Sequence, residues 1–94
     1  MVSDTRAAVI QTGLSLWRDG SEADVTARGI GARIGVTHAG CIYHFGNVAK
    51  ICDTIARAAV AQGDAVVIRK LIVSGHPAVA DMAPAIRQVW LAGA

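Results

Sequence analysis

The fold turns on one stretch. It runs Val25-Thr26-Ala27-Arg28-Gly29-Ile30-Gly31-Ala32-Arg33-Ile34-Gly35-Val36-Thr37 and continues His38-Ala39-Gly40-Cys41-Ile42-Tyr43-His44-Phe45. Thr26 is a good N-cap for a helix over Ala27 to Ile34. Ile30 and Ile34, four residues apart, share its inner face, while Arg28 and Arg33 point out. Gly35 tolerates the positive φ that lets two helices meet at a steep angle. Gly31 has no side chain to hold the second helix away. Thr37 is a second N-cap and opens a short helix through about His44. Ile30, Ile34 and Val36 supply the core beneath the turn. This is the spacing of a helix-turn-helix, whose second helix enters the DNA major groove with its first residues on base edges. Here those residues are Thr37, His38, Ala39 and Gly40. The Thr37 hydroxyl suits a phosphate or a base, and the His38 imidazole a phosphate or guanine. Ala39 and Gly40 are small enough for close backbone approach. The helix starts at Thr26 and Asn47 offer backbone N–H groups to phosphates.

Outward from this stretch the chain continues helical. Ala7, Ile10, Leu14 and Trp17 recur on one face and predict a helix from Thr5 to Arg18. Ser3 or Asp4 caps it, and Asp19-Gly20 ends it. Ser21 to Val25 is a short polar connection. Downstream, Asn47 caps a long helix from Val48 to about Val73, with Ile51, Ile55, Ala59 and Val66 near one face. Gly63 falls within it and weakens it slightly. Ser74-Gly75-His76-Pro77 is a stop, with His76 a solvated turn residue. A last helix lies within Pro77 to Leu91. Its regular part begins near Met82, with Asp81 as N-cap, Pro84 in the first turn and Ile86, Val89 and Trp90 on its apolar face. The expectation is an all-α fold. Residues 1–47 form a three-helix helix-turn-helix head. Residues 48–94 form a long fourth helix and a short fifth.

Composition bounds what such a chain does. Its 94 residues make one domain, too short for a large enzyme with a deep pocket. Apolar residues are 53%, but 18 are Ala, against four Leu, nine Ile, eleven Val and four aromatics. Small side chains bury little area each, so the core is thin. A mean hydropathy of +0.44 is high for a small monomer and implies apolar surface that needs a partner. The net charge of +2 is far from a histone-like balance. Its distribution says more. Acids stop at Asp24 and resume at Asp53, and between them lie Arg28, Arg33, Lys50, His38 and His44. That window suits an anion.

Cys41 and Cys52 do not make a disulfide framework, the N-terminus is too polar for a signal peptide, and no segment is apolar enough to span a membrane. A cytoplasmic protein with reduced thiols is expected. Cys41, His44 and Cys52 lack a fourth ligand, so no metal is expected, and no cofactor either. His38 and His44 have no group nearby to orient an imidazole, so the chain is not read as an enzyme. The alternative to a helix-turn-helix in the stretch from Val25 to Phe45 is an ordinary helical corner.

The match extends further than two helices. The run from Val25 to Thr37 resembles the TetR-family DNA-binding domain. So does the closing Tyr43-His44-Phe45-Gly46-Asn47 before a long helix, as does the preceding helix with Ile10, Leu14, Trp17 and Asp19-Gly20. The resemblance covers residues 5 to about 60. It implies a transcriptional regulator, typically a dimeric repressor, whose first three helices bind duplex operator DNA. By that resemblance Thr37 to Gly40 read bases, and Thr26, Arg28, Tyr43, His44, Asn47 and Lys50 hold phosphates. The chain departs from the family at several positions. Ile42 stands where the family has a phosphate-contacting aromatic. Val48 and Ala49 stand where it has Lys and an acid, and Lys50 projects about 200° from that first position. Gly29 and Gly31 replace stronger helix formers. Residues 76–94 are too few for the family's ligand domain, so no small-molecule inducer is expected. A third reading is that the chain is a piece of a longer regulator.

The densest apolar cluster follows Val66. It is read as internal core, as a homodimer interface, or as a docking face for another protein. The dimer reading uses Val66, Ile68, Leu71, Ile72, Val89 and Trp90. The rival function is a protein-interaction module that keeps the head as scaffold and binds another regulator through its apolar C-terminal helices.

Overall fold

The computed structural model describes residues 5–93, leaving outside it the side chains of His38, Cys41 and His44. Every regular element among the described residues is helical, so the fold is all-α. The elements are α1 (Thr5–Asp19), α2 (Ala27–Ile34), α3 (His38–Phe45), α4 (Val48–Gln62), α5 (Ala65–Ser74) and α6 (Pro84–Gly93). Single 3₁₀ turns occupy Glu22–Asp24, within the expected polar connection, and Pro77–Val79. The Ser3 or Asp4 cap of α1 lies outside the described residues.

Helix α1 buries Val9, Gly13, Leu14 and Trp17. The inward face is therefore rotated slightly from the expected one: Ile10 is half-buried and Ala7 exposed. Helix α4 packs against α1, α3 and α5 through Ile51, Ile55, Ala56 and Ala59, all fully buried. The Ala positions let these helices close up where a larger side chain would hold them apart. One continuous core runs from Val9 through Ile30, Phe45 and Ile55 to Leu71 and Val79. The 47/48 boundary expected between head and tail runs through that core.

The expected helix from Val48 to about Val73 is two helices. Gly63 adopts a φ of 70° and closes α4, with its own N–H and that of Asp64 bonded back to the carbonyls of Val60 and Ala59. Asp64 then caps α5, accepting the N–H of Val67 at 3.2 Å. A glycine alone weakens a helix; a glycine followed by a capping aspartate ends one helix and starts the next. Arg18 at the end of α1 pairs with Asp64, which ties the two helices together. Burial pushes the Asp64 carboxyl up, but its bonds to Arg18 and to the backbone of Val67 outweigh this and hold it below the ordinary range. Lys70 reaches across from α5 and donates to the carbonyls of Trp17, Arg18 and Gly20 at 3.0, 2.9 and 2.6 Å. It satisfies the carbonyls that the last turn of α1 leaves open.

His76 is not a solvated turn residue. Its side chain is only 10% exposed. The ring meets Trp17 edge-on at 5.8 Å, and Nδ1 accepts the N–H of Ala78 at 3.0 Å. Helix α6 starts at Pro84, two residues later than expected. The Ala83 carbonyl accepts the N–H groups of Ile86 and Arg87, so Ala83 rather than Asp81 precedes its first turn. Arg87 donates to the carbonyls of Val79, Ala80 and Met82 and fixes the connection.

Two of the six residues expected at a dimer interface belong elsewhere. Ile68 and Leu71 are fully buried within the chain, because α5 turns them toward α1 and α4. Ile72 is half-buried against the same core. Val66 and Trp90 are half-buried, and Val89 is 65% exposed. Ile86, Leu91 and Val73 also show apolar surface. No described helix is long and apolar enough to cross a membrane.

Candidate nucleic-acid interface

The turn between α2 and α3 is built around Gly31. Its carbonyl accepts the N–H groups of Gly35 at 2.8 Å and Val36 at 3.0 Å. Gly35 takes a φ of 75°, which closes α2 and redirects the chain. A β-carbon on Gly31 would collide with the Val36 carbonyl, so the turn folds directly onto α2. Three polar caps then orient the helix starts. Thr26 accepts from Gly29 N at 2.9 Å, Thr37 from Gly40 N at 2.9 Å, and Asn47 from Lys50 N at 2.8 Å. All three capping residues are exposed. Each cap uses one N–H of its first turn.

The outward face of α3 carries Ala39 and Tyr43, one turn apart, and continues onto Gly46 and Asn47. Tyr43 is 87% exposed. Ile42 instead turns inward and packs against the core. Gly40 also differs from expectation. A β-carbon there would press on Val36 Cγ1 at 2.8 Å, so its small size serves the turn rather than the outer face. The backbone of His38 and His44 lies on α3, but their side chains fall outside the described residues, and so does that of Cys41.

Cations stand at both ends of α3. Arg28 is exposed and borders a notch of about 460 Å³ shared with Gly31, Ala32, Gly35, Val36 and Thr37. The first turn of α2 and the first residue of α3's cap thus meet at one concavity. At the other end Lys50 is exposed and runs past Gly46. Arg6 lies with its guanidinium 4.9 Å from the centre of the Phe45 ring. Sequence reasoning missed Arg6, since a lone Arg in the first turn of α1 carries no spacing signal. Upstream of Arg28, the Asp24 carboxylate is turned back and accepts the N–H of Ser21 at 2.8 Å.

Among the described residues, no three His, Cys, Asp or Glu side chains come together as metal ligands. Cys52 is buried with its sulfur 3.6 Å from the Val25 carbonyl, and burial raises its thiol pKa. Comparison with protein-family models, with curated proteins and with solved structures finds no match.

Proposed function

We propose that this chain is a small TetR-like, non-enzymatic regulator that binds duplex DNA in the cytoplasm, as a homodimer and most simply as a repressor. The observation that carries the reading is the exposed face of α3, bracketed by Arg28 at its start and by Lys50 and Arg6 at its end. α3 spans about 12 Å and presents small or polar residues outward, which suits a major groove. Thr37, His38 and Ala39 read base edges. Thr26, Arg28, Tyr43, His44, Asn47 and Lys50 hold phosphates, and Arg6 adds a further cation. Gly40 contributes its backbone only. In the dimer the apolar surface of α6, around Ile86, Val89 and Trp90, meets its copy. A separation of about 34–36 Å between the two Thr37 residues would match successive major grooves.

The test compares Arg28→Ala with His38→Ala on a selected duplex and on random duplex. The first weakens both alike, since a phosphate contact carries no sequence information. The second changes the ratio between them. Equal losses for both variants on both duplexes would remove His38 from base reading.

A second reading rests on a different observation. Val73 is 80% exposed and Val89 65%, which is a large apolar surface for so small a chain. Under that reading the head is a scaffold and the C-terminal helices bind another regulator. Binding to DNA that is absent even at low salt would favour it.

A further inference from the structure

The end of α1, the turn after it, α5 and the end of α6 enclose an open groove of about 790 Å³ to which no residue of α3 contributes. Such a volume lies within the range of about 300–1,000 Å³ typical of small-molecule sites. Trp17, Ala23, Val66, Val73 and Leu91 make most of its wall apolar. Two cations line it, and they differ in one respect. Lys70 is committed to three backbone carbonyls. Arg69 has no hydrogen-bond or ion-pair partner among the described residues, and its Nε is buried without one.

An arginine partly withdrawn from water without an acceptor is costly, and a buried unsatisfied N–H calls for a partner. The fork of a guanidinium matches a carboxylate. We infer that the groove binds a small organic anion with an apolar body, its carboxylate held by Arg69 and its body against Trp17, Val66 and Leu91. Glu22 also lines the groove, 4.0 Å from His76 Nε2 through its carboxylate, and its charge opposes the ligand. The expectation of no inducer rested on the lack of a separate ligand domain. This groove needs none, because the described helices form it themselves. The inference concerns binding and stands whether or not the chain binds DNA.

The probe is decanoate, titrated calorimetrically into the native chain, with decanol as the neutral control of equal apolar body. Decanoate binds at least tenfold more tightly than decanol. Arg69→Met removes that preference, and Glu22→Gln increases it severalfold at low salt. Helical circular dichroism is recorded for each variant. If Arg69→Met does not fold, the decanoate-to-decanol ratio on the native chain and its rise in Glu22→Gln decide the matter. No heat with decanoate at millimolar concentration, equal binding of the two probes, or an unchanged preference in folded Arg69→Met would each overturn the inference.

Discussion

The carbonyl oxygen of Gly31 accepts the backbone N–H of Val36 at 3.0 Å, and the Val36 carbonyl fills the space a Gly31 side chain would need. Backbone cannot move aside as a flexible side chain can. Gly31→Ala should therefore lose about 1–3 kcal/mol to overpacking, against a gain of about 1 kcal/mol in helix propensity. Gly35→Ala meets no atom within 4 Å, and its φ of 75° alone sets its cost. That is about 1–2 kcal/mol for a left-handed residue. Urea denaturation of both variants checks this. A stabilised Gly31→Ala would show that the turn does not press on α2.

Lys70 joins α5 to the end of α1 through three carbonyls. Lys70→Met keeps most of the stem and removes the charge-assisted bonds. It should lower the unfolding free energy by about 1.5–3 kcal/mol, the range for hydrogen bonds to charged groups. Wild-type stability in this variant would mean that water caps α1 equally well.

Asp64 gives stability a defined pH dependence. Its carboxyl is held below the ordinary value of 3.8, chiefly because the Arg18 bond and the cap bond to Val67 overcome the effect of burial. The charged form is thus the one the fold favours. Its contribution is present above about pH 4, where the unfolded carboxyl is also ionised, and is lost as pH falls through the lower folded value. Asp64→Asn keeps a capping side chain but removes the ion pair. Denaturation midpoints between pH 7 and pH 2 should fall less steeply in this variant than in the native chain. Parallel curves would contradict the assignment.

Much of this was legible in the residues. Thr26, Thr37 and Asn47 announce three helix starts because a capping hydroxyl or amide acts within its own turn. Gly35 announces the turn because positive φ is a property of one residue. The missed features are relations between distant positions. Lys70 meets Trp17 and Gly20 only after α5 folds against α1. Likewise His76 meets Trp17, far away in sequence, only in the folded chain. Ile68 and Leu71 looked like interface for the same reason, since an apolar stripe does not say which side will be covered. Gly63-Asp64 is a local signal of a different kind, in which the capping aspartate matters as much as the glycine.

For the proposed dimer, α6 is the surface to perturb. Val89→Glu places a charge on a residue that is 65% exposed, so the folded protomer tolerates it. Light scattering should give the dimer mass for the native chain and the protomer mass for the variant, with unchanged helical content. A native chain that is monomeric at working concentration would remove α6 from the account.

Salt dependence of DNA binding tests the central claim most directly. Fluorescence anisotropy with a labelled random duplex, followed from low to physiological salt, reports how many phosphates the protein neutralises. With about three to five phosphates held per protomer, log K should fall linearly with log salt at about 0.9 per phosphate. Arg28→Ala should reduce that slope by about one phosphate's worth. An undetectable association at low salt, or an affinity that salt leaves unchanged, would contradict a DNA-binding role for α3 and its flanking cations.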